Sequence, residues 1–186
     1  MTMKHISRRQ LFWTGAAALV AARVGAATLS SPKKSATVTI ENFSAAGVSQ
    51  GTAEVDRVVK TDDEWRKQLS RASYQVTRHE STESPGSGEY EKNHEDGLYR
   101  CICCDTALYD SKTKFESGTG WPSFWQPISR KNVAEVSDNS FGMRRTAVAC
   151  KRCDAHLGHV FEDGPRPTGL RYCMNSVALK FVRRAA

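Results

Sequence analysis

The stretch Cys101-Ile102-Cys103-Cys104 is matched in cysteine spacing by Cys150-Lys151-Arg152-Cys153, so each stretch holds one C-x-x-C pair. Four thiolates from two such pairs are the usual ligand set of a closed tetrahedral zinc site. A metal bound there joins two turns that lie far apart in the chain. It also adds folding free energy, because the unfolded chain lacks the assembled site. The spacing therefore predicts a structural Zn²⁺ held by Cys101, Cys104, Cys150 and Cys153.

Other interpretations of these cysteines stay open. The pairs can be redox-active dithiols, or the four residues can form structural disulfides. A competing zinc set is Cys150, Cys153, His156 and His159, in which two residues separate each ligand from the next. Three turns that tight would crowd the ligands, and the first cysteine pair would have no role. The matched spacing of the two pairs therefore favours the four-cysteine site.

Two further cysteines, Cys103 and Cys173, are not needed for that site. Cys173 follows His156-Leu157-Gly158-His159 in the chain and stands just before a strand-like segment, where a cleft could reach it. Arg171 and the two histidines are expected to lower the pKa of the Cys173 thiol and so supply the thiolate that nucleophilic chemistry requires. The alternative is a small buried apolar residue, which is what many single cysteines are.

The first 27 residues have the pattern of an export signal. A basic start precedes an apolar stretch from Leu11 to Ala22, and Gly25-Ala26-Ala27 offers a cleavage site. The apolar stretch is too short to cross a bilayer, which takes about 20 residues. Ser7-Arg8-Arg9-Gln10-Leu11-Phe12 contains the paired arginines of a twin-arginine signal. Residues 1–27 are therefore predicted to direct the protein to the periplasm, with an ordinary secretory peptide or a retained anchor as the alternatives.

Export in the folded state agrees with the cysteine content, since a four-thiolate site can acquire zinc in the cytoplasm before its thiols meet periplasmic oxidants. The whole chain has a formal net charge of +7, and loss of the leader removes four basic residues, which leaves +3. That charge is too small to indicate a nucleic-acid partner. No stable membrane anchor is expected after cleavage, and Arg183-Arg184 is expected to be a solvated tail.

The rest of the chain is expected to hold a linker and one domain. Residues 28–60 are predicted to be the linker, because Ser, Ala, Thr and Gly dominate their first part. The domain is predicted over residues 61–186. It begins with Thr61-Asp62-Asp63-Glu64, a capping box, which predicts a helix from about Asp62 to Ser70.

Beyond residue 75 the helical period is lost, and short segments alternate with turns that contain glycine. This pattern is typical of antiparallel β structure. The segments are Leu98–Ile102, Arg145–Ala149 and Ser176–Val182. In the last of them Val177, Leu179 and Phe181 alternate with other residues, which predicts a strand with one buried face.

Several segments together resemble the B-type methionine sulfoxide reductases, which act on the R epimer of methionine sulfoxide. The similarity covers about residues 61–182, in the order and spacing of that family. The segments are Gly97-Leu98-Tyr99-Arg100-Cys101, Lys114-Phe115-Glu116-Ser117-Gly118-Thr119-Gly120-Trp121-Pro122-Ser123-Phe124, His156-Leu157-Gly158-His159-Val160-Phe161, Asp163-Gly164-Pro165-Arg166-Pro167-Thr168-Gly169 and Arg171-Tyr172-Cys173-Met174-Asn175-Ser176. The resemblance implies a mainly β fold of two antiparallel sheets with short N-terminal helices, and a peptide-methionine (R)-S-oxide reductase activity.

The resemblance also implies a role for each site residue. Cys173 matches the nucleophile, while His159 and, less directly, His156 match active-site imidazoles. Asn175 and Trp121 match residues that position the sulfoxide and pack against its methyl group. The zinc ligands and the further substrate-binding residues implied in this way are Cys101, Cys104, Cys150, Cys153, Phe124 and Arg171.

The implied chemistry explains these residue types. Methionine sulfoxide has an electrophilic sulfur but a poor oxide leaving group, so attack by the Cys173 thiolate needs a proton delivered to the oxygen. His159 is suited to this step because imidazole titrates near neutral pH. Methionine departs and Cys173 becomes a sulfenic acid, which another thiol must reduce. The expected substrates are oxidised exported proteins that carry methionine-R-sulfoxide.

One departure from the family pattern affects the reductive step. Thr119 stands where many members have a resolving cysteine, and a hydroxyl cannot form a disulfide. Cys103 is a candidate resolving thiol or an idle residue of the zinc loop. Attack by a small thiol or a thioredoxin-like partner is therefore the preferred route.

Two other classes of function stay open from the sequence. One is a zinc-stapled binding module without catalysis, and the other is a thiol–disulfide oxidoreductase that uses one C-x-x-C pair.

Overall fold

Two short helices precede most of the β structure. The computed structural model describes residues 36–138 and 145–184. Helix α1, Asp62–Gln68, starts at the predicted capping box: the Thr61 amide donates to Glu64 Oε2 over 2.7 Å, and the Glu64 amide donates to Thr61 Oγ1 over 3.4 Å. The predicted end at Ser70 is two residues too late. Ser70 instead accepts from the Ser73 amide and caps the next helix.

Helix α2, Arg71–His79, contradicts the prediction that helical structure is lost beyond residue 75. Its buried side includes Tyr74, Val76 and Thr77. The Thr77 hydroxyl donates to the Ser73 carbonyl over 2.7 Å, so this polar side chain is buried with its hydrogen bond made. A threonine in the buried stripe weakens the apolar period, and the helix was missed for that reason.

The strands of the described residues pair only with antiparallel neighbours and form three groups. They are β1 (Thr37–Phe43), β2 (Ser49–Asp56), β3 (Gly97–Cys101), β4 (Ala107–Asp110), β5 (Lys114–Phe115), β6 (Ser123–Phe124), β7 (Val133–Asp138), β8 (Arg145–Cys150), β9 (His156–Phe161), β10 (Arg171–Met174) and β11 (Leu179–Arg183). One sheet has the order β5-β6-β10-β9-β8-β7, a second has the order β11-β3-β4, and β1-β2 is a hairpin. The predicted fold class, mainly β with antiparallel sheets and short helices, is confirmed.

Aromatic side chains fill the core between the two larger sheets. Tyr99, Tyr109, Phe124 and Tyr172 are fully buried. The rings of Tyr109 and Phe124 stack with centroids 4.4 Å apart, and Tyr99 meets Phe124 edge to face at 5.0 Å. Aromatic pairs in such arrangements contribute about 0.5–1.5 kcal/mol beyond the burial of their area. Because Tyr172 of β10 belongs to this cluster, the core packs against the strand that carries Cys173.

Residues 37–56 form the β1–β2 hairpin, so the predicted linker over residues 28–60 is wrong for this part. Val38 and Ile40 are buried, which gives the hairpin an apolar face. Asn132 joins it to the sheets: its side chain donates to the Glu41 carbonyl and accepts from the Glu41 amide, both over 2.8 Å. Among the described residues, several of the small ones that suggested a linker lie in the turn over residues 44–47 and on the exposed strand β2.

The C-terminal segment differs from its prediction in two ways. Ser176–Ala178 is a 3₁₀ helix, so the strand starts only at Leu179, and Ala178 rather than Val177 is the fully buried residue. Arg184 is not a solvated tail. Its guanidinium donates to Asp110 over 2.8 and 2.9 Å, to Asp96, and to the carbonyl of Ala46 in the hairpin turn. Arg184 therefore ties the segment after β11 to β4 and to the hairpin turn.

The predicted export signal, residues 1–27, lies outside the described residues. The described residues all belong to one compact unit. Within the part of the chain that the structure describes, neither helix has the length and apolar character needed to cross a membrane.

Candidate active site

Four cysteines converge at one point between the sheets. The sulfur atoms of Cys101, Cys104, Cys150 and Cys153 all lie within 4.8 Å of one another. Cys101 and Cys153 are 3.6 Å apart at Sγ, and Cys104 and Cys150 are 3.5 Å apart. A tetrahedron with Zn–S bonds of about 2.3 Å has edges of about 3.8 Å. The cluster can therefore hold a metal ion, and an all-sulfur donor set fits zinc in both size and chemistry.

The two cysteine pairs sit on turns of the same kind. After the first pair, the Asp105 amide donates to the Cys101 carbonyl over 2.9 Å, and Asp105 has φ 61°. After the second, the Asp154 amide donates to the Cys150 carbonyl over 2.9 Å, and Asp154 has φ 57°. An aspartate tolerates the left-handed region better than most residues. Matched spacing in the sequence therefore reflects matched backbone geometry.

Cys103 belongs to the surroundings of this cluster. It is 4% exposed, contacts Cys101, Cys153 and Thr77 of α2, and is not among the residues that line the cleft around Cys173. Its backbone carbonyl accepts from the Gln68 side chain of α1 over 2.8 Å. Helix packing therefore holds Cys103 beside the cysteine cluster and outside the cleft. This position does not support its predicted role as a candidate resolving thiol.

Cys173 belongs to a separate site and lies on β10, between β6 and β9. In β10 it pairs directly with His159 of β9 on one side and with Ser123 of β6 on the other. Directly opposed residues of antiparallel strands point to the same face, so the pairing brings thiol and imidazole together. A cleft of about 130 Å³ opens on that face. Its lining residues are Thr82, Trp121, Arg145, Gly158, His159, Phe161, Cys173, Met174 and Asn175.

Gly158 lets the two strands approach closely between the histidines. A Cβ atom there would lie 2.1 Å from the Cys173 carbonyl oxygen and 3.0 Å from the Met174 Cα. Only glycine avoids that overlap with backbone atoms, which cannot move aside. The His-Leu-Gly-His motif thus fixes the distance between β9 and β10 at the position where Cys173 faces His159.

The two predicted histidines have different surroundings. His159 lines the cleft, and its Nε2 lies 2.9 Å from Asp138 Oδ2. His156 does not line it and is only 6% exposed, with its ring edge-to-face against His159 at a centroid distance of 5.3 Å. Burial, followed by the neighbouring His159, lowers the pKa of His156 to about 4. His156 is therefore a neutral packing partner of the cleft histidine at neutral pH.

The electrostatics of Cys173 depart from prediction. Partial burial raises the pKa of its thiol, because a thiolate loses solvation in the cleft. The Thr119 hydroxyl, the Arg171 guanidinium and the Ser123 hydroxyl offset part of this effect. The expectation that neighbouring cations would hold the pKa of Cys173 below its ordinary value is therefore wrong, although the favourable contribution of Arg171 is confirmed.

The loop between α2 and β3 fixes two predicted residues. The Trp121 indole donates to the Glu83 carbonyl over 3.1 Å, and Asn175 Oδ1 accepts from the Glu83 amide over 3.0 Å. The Glu83 carboxylate accepts from the amides of Ser176 and Val177 over 2.7 and 3.1 Å. Glu83 thus locks the indole and the segment after Cys173 into one arrangement. Glu83 stands in a polar stretch of the sequence that carries no recognisable motif, so this role was not predicted.

Two predicted substrate-binding residues do not line the cleft. Phe124 is fully buried in the aromatic core, since its strand turns this side chain to the face opposite Ser123. Arg171 forms a two-point ion pair with Asp163 at 2.8 and 2.9 Å and lies over the Phe161 ring at 4.4 Å. Its guanidinium acts on the Cys173 thiol electrostatically. Phe124 is therefore a core residue. Arg171 is not one of the residues that line the cleft, but its charge acts on the Cys173 thiol.

These features define a class of protein: an antiparallel β domain with a metal-type cysteine cluster and, apart from it, a cleft in which a thiol faces an imidazole. The chain belongs to the SelR domain family, whose model matches residues 69–183. That match leaves the β1–β2 hairpin outside the shared domain.

Several relatives share more than half of their aligned residues with this chain. The peptide methionine sulfoxide reductase MsrB of Pseudomonas syringae pv. syringae (strain B728a) is 56% identical over 131 residues, which are 70% of this chain and 100% of the relative. The protein of the same name from Pseudomonas entomophila (strain L48) is 58% identical over 125 residues, 67% of this chain and 95% of the relative. That of Herminiimonas arsenicoxydans is 56% identical over 126 residues, 68% and 92% respectively.

Proposed function

We propose that this protein is a peptide methionine sulfoxide reductase that acts on the R epimer, with Cys173 as its nucleophile. The observation that carries the proposal is the cross-strand pair of Cys173 and His159 in a cleft that also contains Trp121. The names of the relatives support the same reaction at high identity over nearly their whole length.

In the first step the Cys173 sulfur attacks the sulfoxide sulfur, and one proton is delivered to the sulfoxide oxygen. The S–O bond to methionine breaks, and the oxygen leaves on Cys173 as a sulfenic acid. Thiolate, sulfoxide and one proton thus give methionine and the sulfenic acid, so the methionine sulfur is reduced by two electrons while Cys173 is oxidised by two. His159 is the group in the cleft suited to give the proton.

The cleft offers separate places for the two sides of the substrate sulfur. Trp121 and Phe161 provide an aromatic wall for the S-methyl group, where sulfur–aromatic contact contributes about 0.3–1.5 kcal/mol. His159 and Asn175 provide the polar side for the oxygen. Once the methyl group and the oxygen occupy these two sides, the two epimers differ in where the peptide chain leaves the sulfur. Only one epimer can then direct that chain out of the cleft, which is the physical basis for choosing it.

In the second step an external thiol attacks the sulfenic acid, releases water and forms a mixed disulfide. A second thiol then restores Cys173 and leaves as a disulfide. The placement of Cys103 beside the metal cluster and the hydroxyl at Thr119 both favour an external reductant over an internal thiol. The chemical class of that reductant is a small thiol or a thioredoxin-like protein.

The four-cysteine cluster is proposed to hold Zn²⁺ as a structural ion. The residues that would bind it are Cys101, Cys104, Cys150 and Cys153. Bound zinc would join the turn after β3 to the turn after β8 and add folding free energy. The cluster takes no part in the steps at Cys173.

Residues 1–27 are proposed to be a twin-arginine export signal, and the periplasm to be the place of action. The paired Arg8-Arg9 and the weakly apolar stretch that follows support this. Replacing both arginines by lysine in the full chain should keep the protein in the cytoplasmic fraction of a bacterium with a twin-arginine pathway. Unchanged export of that variant would instead assign the leader to the general secretory route.

The reductase activity is tested with the two epimers of a peptide methionine sulfoxide and dithiothreitol as reductant. We expect consumption of the R epimer alone, and loss of turnover in Cys173→Ser with bound metal retained. Activity on the S epimer only, or on neither, would reject the proposal. A binding module would keep its function in Cys173→Ser. A thiol–disulfide oxidoreductase would lose activity in Cys104→Ser without loss of folding.

A further inference from the structure

A carboxylate that the sequence did not single out contacts the cleft histidine. Asp138 is the last residue of β7 and pairs with Arg145, the first residue of β8. Its Oδ2 lies 2.9 Å from His159 Nε2 and 3.0 Å from an Arg145 guanidinium nitrogen. The side chains of Asp138 and His159 are 19% and 13% exposed, so the contact is largely shielded from water.

We propose that Asp138 is a positioning residue that fixes the His159 ring and favours its protonated form as the proton donor of the reaction. The inference rests on the proposed function, since it assigns a task within the same cleft. It adds a residue from β7 to a site whose predicted thiol and imidazole lie on β10 and β9.

The hydrogen bond to Asp138 determines which nitrogen of the His159 ring can exchange a proton in the reaction. An ionised carboxylate can only accept, so the ring donates to Asp138 through Nε2–H. Nδ1 is then the nitrogen left to exchange a proton with a group in the cleft. A carboxylate that holds one ring nitrogen in this way fixes both the orientation and the tautomer of the imidazole.

The other charged and titratable groups around His159 set the strength of the effect. Arg145 of β8 is bound to Asp138 and also lines the cleft, His156 of β9 lies against the ring, and Cys173 of β10 is its cross-strand partner. Arg145 opposes an imidazolium and also holds the Asp138 carboxylate in place. The charges of Asp138 and Arg145 therefore act on the ring in opposite directions.

The alternative is that Asp138 and Arg145 only close the end of the β7–β8 hairpin. A cross-strand ion pair of this kind contributes about 0.2–1 kcal/mol, and loss of either partner would then have the same effect. If Asp138 has the positioning role, replacing Asp138 and replacing Arg145 should have opposite effects on the protonation of the His159 ring. Asp138→Asn removes the charge that favours the imidazolium, whereas Arg145→Met removes a charge that disfavours it.

The experiment measures kcat against pH with the R epimer and dithiothreitol for the full chain and for both variants. We expect the limb of the profile due to the imidazole to move to lower pH in Asp138→Asn, by about one pH unit. In Arg145→Met it should move to higher pH. The value of kcat at pH 7 should fall at least about tenfold in Asp138→Asn, since a well-placed general acid contributes 10²–10⁴-fold. Partial recovery is expected in Asp138→Glu.

Two further measurements separate this inference from the proposed function. The NMR titration of the His159 ring should shift in the same directions as the kinetic limb, and it needs no turnover. The pH dependence of Cys173 alkylation by iodoacetamide should stay unchanged in Asp138→Asn, which assigns the moving limb to the ring. Equal shifts in both variants, or none, would overturn the role of Asp138. Inactive wild-type protein with the expected NMR shifts would instead reject the reductase.

Discussion

The Thr119 hydroxyl oxygen lies 3.9 Å from the Cys173 sulfur, within a chain of hydroxyl groups. Thr119 is 2.8 Å from Ser117 Oγ, which is in turn 2.8 Å from Ser123 Oγ, and Ser123 is the cross-strand neighbour of Cys173. The hydroxyls of Thr119 and Ser123 both lower the pKa of the Cys173 thiol against the effect of burial. At this position the chain therefore stabilises a thiolate instead of supplying a second thiol.

The first prediction concerns Thr119→Cys. A thiol introduced 3–4 Å from Cys173 is close enough to condense with its sulfenic acid, so one equivalent of substrate should produce an internal disulfide. Mass spectrometry and a free-thiol count before and after substrate measure it. Thr119→Ser is the matched control, since it keeps the hydroxyl and should form no disulfide. A sulfenic acid at Cys173 beside an unreacted introduced thiol, after substrate addition to Thr119→Cys, would show that the two side chains cannot meet.

A second prediction follows from the ion pair beside the nucleophile. Arg171 lowers the pKa of the Cys173 thiol, so Arg171→Met should move the pH dependence of Cys173 alkylation upward, by about one pH unit or less. Asp163→Asn should move it downward, because the guanidinium then lies near Cys173 without its counter-ion. The rate of iodoacetamide reaction from pH 6 to 10 measures both. Shifts of the same sign would show that packing rather than charge controls the thiol.

The site could be predicted from the sequence where the chemistry is local to a motif. The two cysteine pairs and the cap at Thr61 depend on spacings of three residues, and the structure has both. Asp138 and Glu83 were missed because their partners are set by strand register and loop packing, which no short spacing encodes. Phe124 was misassigned because a motif shows which residues cluster but not which side of a two-residue strand each one faces.

The hairpin shows a different limit. Small polar residues in β2 suggested a linker, yet β2 is paired along its length with β1, from Thr37↔Asp56 to Phe43↔Ser49. An edge strand exposed on most of its length needs little apolar content, so its composition resembles that of a flexible segment. The apolar residues that form the hairpin face, Val38 and Ile40, lie in the other strand.

The third prediction separates the metal cluster from its neighbouring thiol. Cys101→Ser should lose bound zinc and several kcal/mol of unfolding free energy, because structural zinc contributes about 10–16 kcal/mol of binding free energy in small zinc domains. Cys103→Ser is the matched control and should keep both the metal and turnover, since Cys103 is not one of the four clustered ligands. Metal analysis and urea unfolding test the pair. Zinc loss in Cys103→Ser would place that thiol among the ligands.

The fourth prediction uses the buried histidine. The pKa of His156 is lowered to about 4 from an ordinary value of 6.5, so the unfolded chain binds a proton that the folded chain does not between these values. The stability due to the neutral ring is therefore present above pH 6.5 and is lost as the pH falls toward 4. From pH 7 to pH 5 the loss amounts to about 2 kcal/mol. His156→Asn should remove that part of the acid destabilisation.

Urea unfolding of both proteins at pH 7 and pH 5 gives the measurement, with His94→Asn as control. His94 is exposed and forms only a 3.5 Å contact with Glu116, so its replacement should leave the wild-type pH dependence in place. If His156→Asn lost as much stability on acidification as the wild type, the acid sensitivity would belong to other groups, such as the metal ligands.

The fifth prediction concerns the residue that joins the hairpin to the shared domain. Asn132 is fully buried, and its side chain accepts from the Glu41 amide and donates to the Glu41 and Ala107 carbonyls, each over 2.8 Å. Asn132→Leu keeps the volume but leaves these backbone groups without their partner, and each such buried group costs about 1–3 kcal/mol. We expect the free energy of unfolding to fall by about 3 kcal/mol, with kcat unchanged in the folded protein. Thr52→Ala, on the exposed face of β2, should change stability by less than about 0.5 kcal/mol. A loss of kcat in Asn132→Leu while the protein remains folded would show that the hairpin acts on the cleft and not only on the stability of the domain.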